Sequence, residues 1–203
     1  MTSNLSSQYP TIISYYTEDW LYQKYALELE AQCESLKLPC LIKQLNSEND
    51  YLKNCRKKPS AILDSLLEVK RPVLWIDADG GILKRPDFFV GLECDFAARR
   101  MPANRDRHWH VGTMWFNYNS RVINFLEDWI LYTKDSSTDE AGLDKLWKRN
   151  PNMVTSKNIP KTYFHLLLGG NKTSSSCPKD TVIFHRISTG SSKMAMKKRN
   201  LLV

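Results

Sequence analysis

Apolar positions along the chain fall into short continuous runs separated by longer stretches in which they recur every three or four residues. Pro10 to Thr17 is rich in β-branched and aromatic residues and predicts a first strand. Thr17 can cap the helix that follows, with Glu18 and Asp19 acidic in its first turn. Apolar Trp20, Leu21, Tyr25, Leu27, Leu29 and Leu36 carry that helix to about Leu36. Pro39 precedes a second strand over Cys40–Leu45, and Asn46 to Asp50 reads as a polar loop. Pro59 marks a helix start, with Ala61, Ile62, Leu63, Leu66 and Leu67 on the buried face. Lys70-Arg71-Pro72 breaks it, and Val73 to Ile76 has the length of a buried strand. Up to Gly80 the chain therefore reads β-α-β-α-β, which predicts a parallel sheet with right-handed crossovers.

The second half is less regular. Asp87 to Phe96 predicts a short helix or turn leading into a strand over Cys94–Ala98. Arg99 to His110 is basic, has no clear period and predicts a surface loop. Gly112 to Asn117 is a further apolar segment, and Ser120 is the expected cap of a helix from Arg121 to about Lys134. Asp135 to Asp139 starts another helix through Trp147. Tyr163–Leu168 and Thr181–His185 are late strands, before a basic tail over about 194–203. With no repeat and no linker, the expectation is one α/β domain spanning 1–203.

Composition narrows the picture. A chain of 203 residues with 42% hydrophobic content can bury a sizeable core. No apolar run approaches the ~18 residues of a membrane span. The opening residues Met1 to Gln8 lack the charged and apolar regions of a secretory signal. Five scattered cysteines without C-x-x-C spacing point to a reducing, cytoplasmic setting and against structural zinc. The net charge of +7 suits an anionic partner: nucleotide phosphate, nucleic acid or an anionic membrane surface. The excess is concentrated in Lys53–Lys58, Arg99–Arg107 and Lys193–Arg199.

The strongest candidate chemistry lies at the end of the buried strand. Trp75-Ile76 runs straight into Asp77-Ala78-Asp79-Gly80-Gly81. Strand alternation projects Asp77 and Asp79 to one side, where two carboxylates repel unless a cation lies beside them. A hard divalent ion, Mg²⁺ or Mn²⁺, is the natural candidate, and such ions usually arrive with phosphate. In open α/β sheets ligands bind beyond the carboxyl ends of strands, which is where this pair falls.

In their order these segments resemble the GT-A nucleotide-sugar glycosyltransferases, in particular the small glycogenin-like, retaining type, over about residues 10–193. The resemblance implies a single Rossmann-like domain with a mainly parallel central sheet flanked by helices. It implies transfer of a hexose from a UDP-sugar such as UDP-glucose to an unidentified acceptor, with Mn²⁺ or Mg²⁺. By that resemblance Tyr16 and Thr17 hold the nucleoside, and Lys58 (with Arg56 and Lys57 beside it) reaches the donor. Asp79 coordinates the metal on the diphosphate, Asp77 shares it or binds the ribose, and the Ala78 backbone approaches the nucleotide. Gly112 and Thr113 lie beside the donor sugar. Asp139 holds sugar hydroxyls, and Glu140 lies under the anomeric carbon where the family carries Gln. His185 is the third metal ligand, and Gly190 and Lys193 contact the diphosphate. The spacing from His185 to Gly190 is longer than in the family, and its Pro-Trp after the lysine is replaced by Met194-Ala195.

Two other readings use the same residues. Trp75 to Leu83 resembles the haloacid-dehalogenase phosphatase signature, with Asp77 as nucleophile and Asp79 as general acid/base. Against it, two β-α units precede the motif, Gly81 stands at the threonine position, and no later acidic pair follows. A basic nucleic-acid binder is the other alternative, suggested by the basic segments around Trp109, but no reading motif supports specific nucleic-acid binding. The short chain leaves few residues for an acceptor domain, so a partner, a second copy or the Arg99–His110 segment is expected to complete that side.

Overall fold

Strand and helix alternate as predicted up to Gly80. A computed structural model describes residues 8–18, 20–102, 107–168 and 173–187. Strand β1 (Thr11–Tyr16) leads to helix α1 (Trp20–Ser35), β2 (Cys40–Gln44), α2 (Tyr51–Cys55), α3 (Lys58–Val69) and β3 (Val73–Ile76). Then come β4 (Gly80–Ile82), β5 (Phe96–Arg100), β6 (Trp109–Phe116), α4 (Ser120–Lys134) and α5 (Asp139–Arg149). The last strands are β7 (Ser156–Asn158), β8 (His165–Leu168) and β9 (Ile183–Ile187).

The central sheet has six strands in the order β2-β1-β3-β6-β5-β7. β1 pairs in parallel with both β2 and β3, as the crossover rule requires. β6 runs antiparallel to β3 and to β5, while β5 and β7 are parallel again. The sheet is thus parallel on its first side and mixed on its second. A smaller sheet, β4-β9-β8, sits beyond the end of β3.

β3 explains its own four-residue apolar run. Val73 and Trp75 belong to one buried cluster with Ile62, Leu66, Phe125 and Trp129, on the side of α3 and α4. Leu74 and Ile76 belong to the other, with Ile12, Leu29, Trp115 and Ile183. A strand covered on both faces has no polar position to alternate with. Burial of each such side chain contributes about 1.5–3 kcal/mol.

Several boundaries differ from expectation. β6 begins at Trp109, so the basic stretch is not one long loop. Arg99 and Arg100 extend β5 past a bulge at Ala98/Arg99, and Trp109 is buried against Phe96 and Trp147. Gly112 therefore lies inside a strand instead of opening one. α4 is capped by Asn119, whose Oδ1 accepts from Val122 N at 3.0 Å, and Ser120 is its first helical residue. On α1 the buried set is Ala26, Leu29 and Cys33, while Trp20 and Leu27 are exposed, as is Leu67 on α3. The one-turn helix α2, capped by Asp50 on Lys53 N, is too short to leave a period in the sequence.

Candidate active site

The two aspartates stand in a turn, not on the strand itself. β3 ends at Ile76, and the turn closes through Gly80 N donating to Asp77 O at 2.7 Å. The chain then enters β4, whose Gly80 sits opposite His185 of β9. A Cβ on Gly80 would lie 2.5 Å from Ile76 Cγ2 and 3.1 Å from His185 Cε1, so only glycine lets the turn pack here. Arg186 N donates to Asp79 O at 3.0 Å, tying the turn to the small sheet. The Arg186 guanidinium is in turn held by Glu28 at 2.6 Å and lies over the Tyr25 and Phe184 rings.

A buried lysine joins the turn to α5. Lys58, 7% exposed at the start of α3, places Nζ 2.9 Å from Asp77 Oδ1 and 2.8 Å from Asp139 Oδ2. Its Nζ also lies over the Trp75 ring, 5.7 Å from the centroid, and Trp75 Nε1 donates to the same Asp77 Oδ1 at 2.8 Å. Burial works against the ammonium, but Asp139 and then Asp77 outweigh it and hold its pKa well above the ordinary lysine value. At an effective dielectric constant near 20 each of these ion pairs is worth about 6 kcal/mol, against a burial penalty of several kcal/mol. Asp77 keeps 30% of its side chain exposed. Desolvation nevertheless raises its carboxyl pKa, opposed by Lys58 and reinforced by Asp79.

Asp79 and His185 form a second pair, with Nδ1 3.9 Å from Asp79 Oδ1. The other imidazole nitrogen, Nε2, is 2.7 Å from Thr113 Oγ1, and His185 is buried. With Nε2 protonated toward Thr113, the Nδ1 lone pair lies on the Asp79 side, the usual orientation of a metal-ligating imidazole. Asp77 Oδ2 has no partner among the described residues. No three carboxylate, imidazole or thiol groups there already surround one point as a finished coordination shell. Asp79, His185 and Asp77 Oδ2 are nevertheless an oxygen-rich donor set of the type that suits Mn²⁺ or Mg²⁺ once phosphate and water supply the rest.

Thr138 caps α5 by accepting from Ala141 N at 3.1 Å, which makes Asp139 and Glu140 its first helical residues. The buried Asp139 turns toward Lys58, and its backbone carbonyl accepts from Trp129 Nε1 at 2.8 Å. Glu140 pairs with Arg107, and burial raises its pKa against the pull of that guanidinium. Gly112 O accepts from Asp77 N at 2.9 Å, so β6 borders the same turn. Ala78 is buried within it. Tyr16 and Thr17 stand at the carboxyl end of β1, where Tyr16 donates to Gln44 Oε1 at 3.3 Å and Thr17 is buried. Gly190 and Lys193 lie outside the described residues.

The structure thus brings Lys58, Asp77, Asp79, Thr113, Asp139 and His185 into one connected set. It also adds residues that sequence reasoning passed over: Trp75 through its indole N–H, Arg107 on Glu140, Arg186 behind the turn, and His110. For His110 the sequence offered its place at the end of the basic Arg99–His110 segment and two residues before Gly112. A hollow of about 190 Å³ lined by Tyr9, Arg71, Phe89 and Trp115 lies at the amino ends of β1 and β3 and holds none of this set.

No protein-family model matches the chain, and no curated protein matches it in sequence. Solved structures do match in shape. One is a glycosyltransferase involved in the glycosylation of the major capsid of PBCV-1, with a TM-score of 0.68 and 12% identity over 96% of this chain and 100% of that one. The chain shares the fold of that glycosyltransferase. GlyE of Streptococcus pneumoniae TIGR4 shares this glycosyltransferase fold, with a TM-score of 0.60 and 14% identity for its apo-form. A second GlyE structure gives 0.55 and 13%. Both cover 95% of this chain, which spans 60% of GlyE. At these identities the likeness is one of fold.

Proposed function

We propose that this chain is a metal-dependent glycosyltransferase that moves a hexose from a UDP-sugar, of the UDP-glucose kind, to an acceptor with retention at the anomeric carbon. The observation that carries the reading is the joining of Asp77, Asp79, His185, Lys58 and Asp139 at the carboxyl end of β3. This happens in a fold that glycosyltransferases share over nearly the whole chain. Asp79 and His185, with Asp77 Oδ2, are the residues that would hold Mn²⁺ or Mg²⁺, which when bound neutralises charge on a diphosphate leaving group. Tyr16, Thr17 and the Ala78 backbone border the nucleoside. Gly112 and Thr113 flank the sugar, Asp139 holds its hydroxyls, and Glu140 lies beneath the anomeric carbon. Lys58 keeps Asp139 in register with the D-x-D turn, so donor and acceptor meet in a fixed geometry.

The competing readings draw less support. The phosphatase signature opens its domain, whereas here the D-x-D follows β3, the third strand of a chain whose shape matches a glycosyltransferase over 96% of its length. Among the described residues, cations of the first two basic segments are engaged within the chain: Lys58 faces inward, Arg107 meets Glu140, Arg99 donates to Ile159 O, and Arg100 lies over Trp109. No helix among the described residues is long and apolar enough to cross a membrane. A reducing, cytoplasmic setting is proposed from five scattered cysteines without C-x-x-C spacing.

The test is calorimetric titration of UDP with Mn²⁺ and again with EDTA, followed by a screen of UDP-sugars for hydrolysis. Metal-dependent binding is expected. Absence of UDP binding under both conditions would overturn the reading and direct attention to phosphoester hydrolysis with Mg²⁺.

A further inference from the structure

His110 stands beside the candidate site with one ring nitrogen committed and the other not. Its neighbours on β6, Trp109 and Val111, point into the core, so His110 faces the opposite side, toward β8 and β9. Gly112 N donates to His110 Nδ1 at 3.0 Å. A nitrogen that accepts a hydrogen bond carries no proton, so the neutral ring has its proton on Nε2. The ring plane is set by Phe164, whose centroid is 3.9 Å away and which also packs 5.1 Å from His185. His110 and His185 face each other across Gly112: a Cβ there would lie 3.1 Å from the Cε1 atom of each ring. Nε2, next to Cε1, has no hydrogen-bond partner among the described residues.

We infer that His110 binds the transferred sugar, donating from its otherwise unpartnered Nε2–H to a sugar hydroxyl; this rests on the glycosyl-transfer reading above. A neutral N–H on a half-buried ring packed against Phe164 suits a hydroxyl oxygen, whereas phosphate is better met by the cations nearby. A site built to hydrogen-bond a hydroxyl also rejects sugars that lack it, which makes His110 a specificity residue as well as an anchor.

The experiment compares UDP with UDP-glucose and UDP-galactose, each with Mn²⁺, by calorimetry on the wild type, His110→Phe and His110→Gln. Phenylalanine keeps the packing on Phe164 and loses the donor, while glutamine keeps an N–H. The expected result is UDP affinity unchanged within about twofold in both variants. The better of the two sugar nucleotides should bind about tenfold more weakly to His110→Phe, with partial recovery in His110→Gln. Equal weakening of UDP and sugar nucleotide, or no weakening of either, would overturn the inference while leaving glycosyl transfer intact. A wild type that binds no UDP sinks both. Nitrogen-15 spectra of the wild-type imidazoles give an independent check that needs no variant to fold. They should show His110 protonated at Nε2, and an Nδ1–H tautomer excludes the role.

Discussion

Lys58 shows how far a single residue can depart from what its neighbours in sequence suggest. It ends a basic run and opens a helix, the place of a solvated charge or of a residue reaching for a ligand, yet it is buried between Asp77 and Asp139. Replacing it by methionine, of similar length, leaves two carboxylates facing each other without a cation. The expected loss is about 3–5 kcal/mol in urea denaturation at pH 7. The pH dependence has a definite sign. Desolvation raises Asp77, and a carboxyl raised in the folded state stabilises fully only below its unfolded pKa, losing that contribution as pH climbs through the folded value. Lys58→Met should therefore be closest to wild type near pH 4, about the ordinary carboxylate pKa, and fall away above it. A variant equally stable at both pH values would show that the lysine does not neutralise the pair. Asp79→Ala should leave stability within about 1 kcal/mol and lower turnover by on the order of 10²–10³ or more. Full turnover in that variant would sink the metal assignment. His185→Ala should weaken Mn²⁺ binding at least about tenfold, read by direct Mn²⁺ titration.

At the scale of elements, periodicity marked the helices and strands that carry the core, and misjudged those whose register depends on a neighbour. β3 was legible because both its faces are covered, leaving an uninterrupted apolar run. β6 was only half legible: its first residues, Trp109 and His110, sit in a basic context, and their strand pairing with Arg99 and Arg100 follows a bulge that no local pattern announces. The cap of α4 shows the same limit. Asn119 and Ser120 are both good capping residues, and the geometry assigns the role to Asn119. Asn119→Ala should cost about 1 kcal/mol in thermal or urea unfolding, whereas Ser120→Ala should stay within about 0.5 kcal/mol. The reverse ranking would move the helix start by one residue. α5 begins at the last residue of the expected Asp135–Asp139 start and runs two residues past Trp147, because the Thr138 cap and the acidic pair after it fix its first turn.

At the scale of the whole molecule, two sheets meet at one turn. The central sheet delivers Asp77 at the end of β3, and the small sheet delivers His185 opposite Gly80 and fixes Asp79 through Arg186. Strand alternation was the reason to pair the two aspartates, but their actual arrangement belongs to a turn held by the second sheet. By itself the sequence determined the β-α-β-α-β order, the buried β3, the start of α5 and the residue types gathered at the site, because propensity, periodicity and capping act over a few residues. Only the tertiary structure decided that Lys58 joins Asp77 to Asp139, that His185 reaches Asp79, that Arg107 covers Glu140 and that His110 faces His185 across Gly112. These contacts link residues far apart in the chain, and their partners are chosen by sheet register and buried charge, which no local pattern of residues encodes.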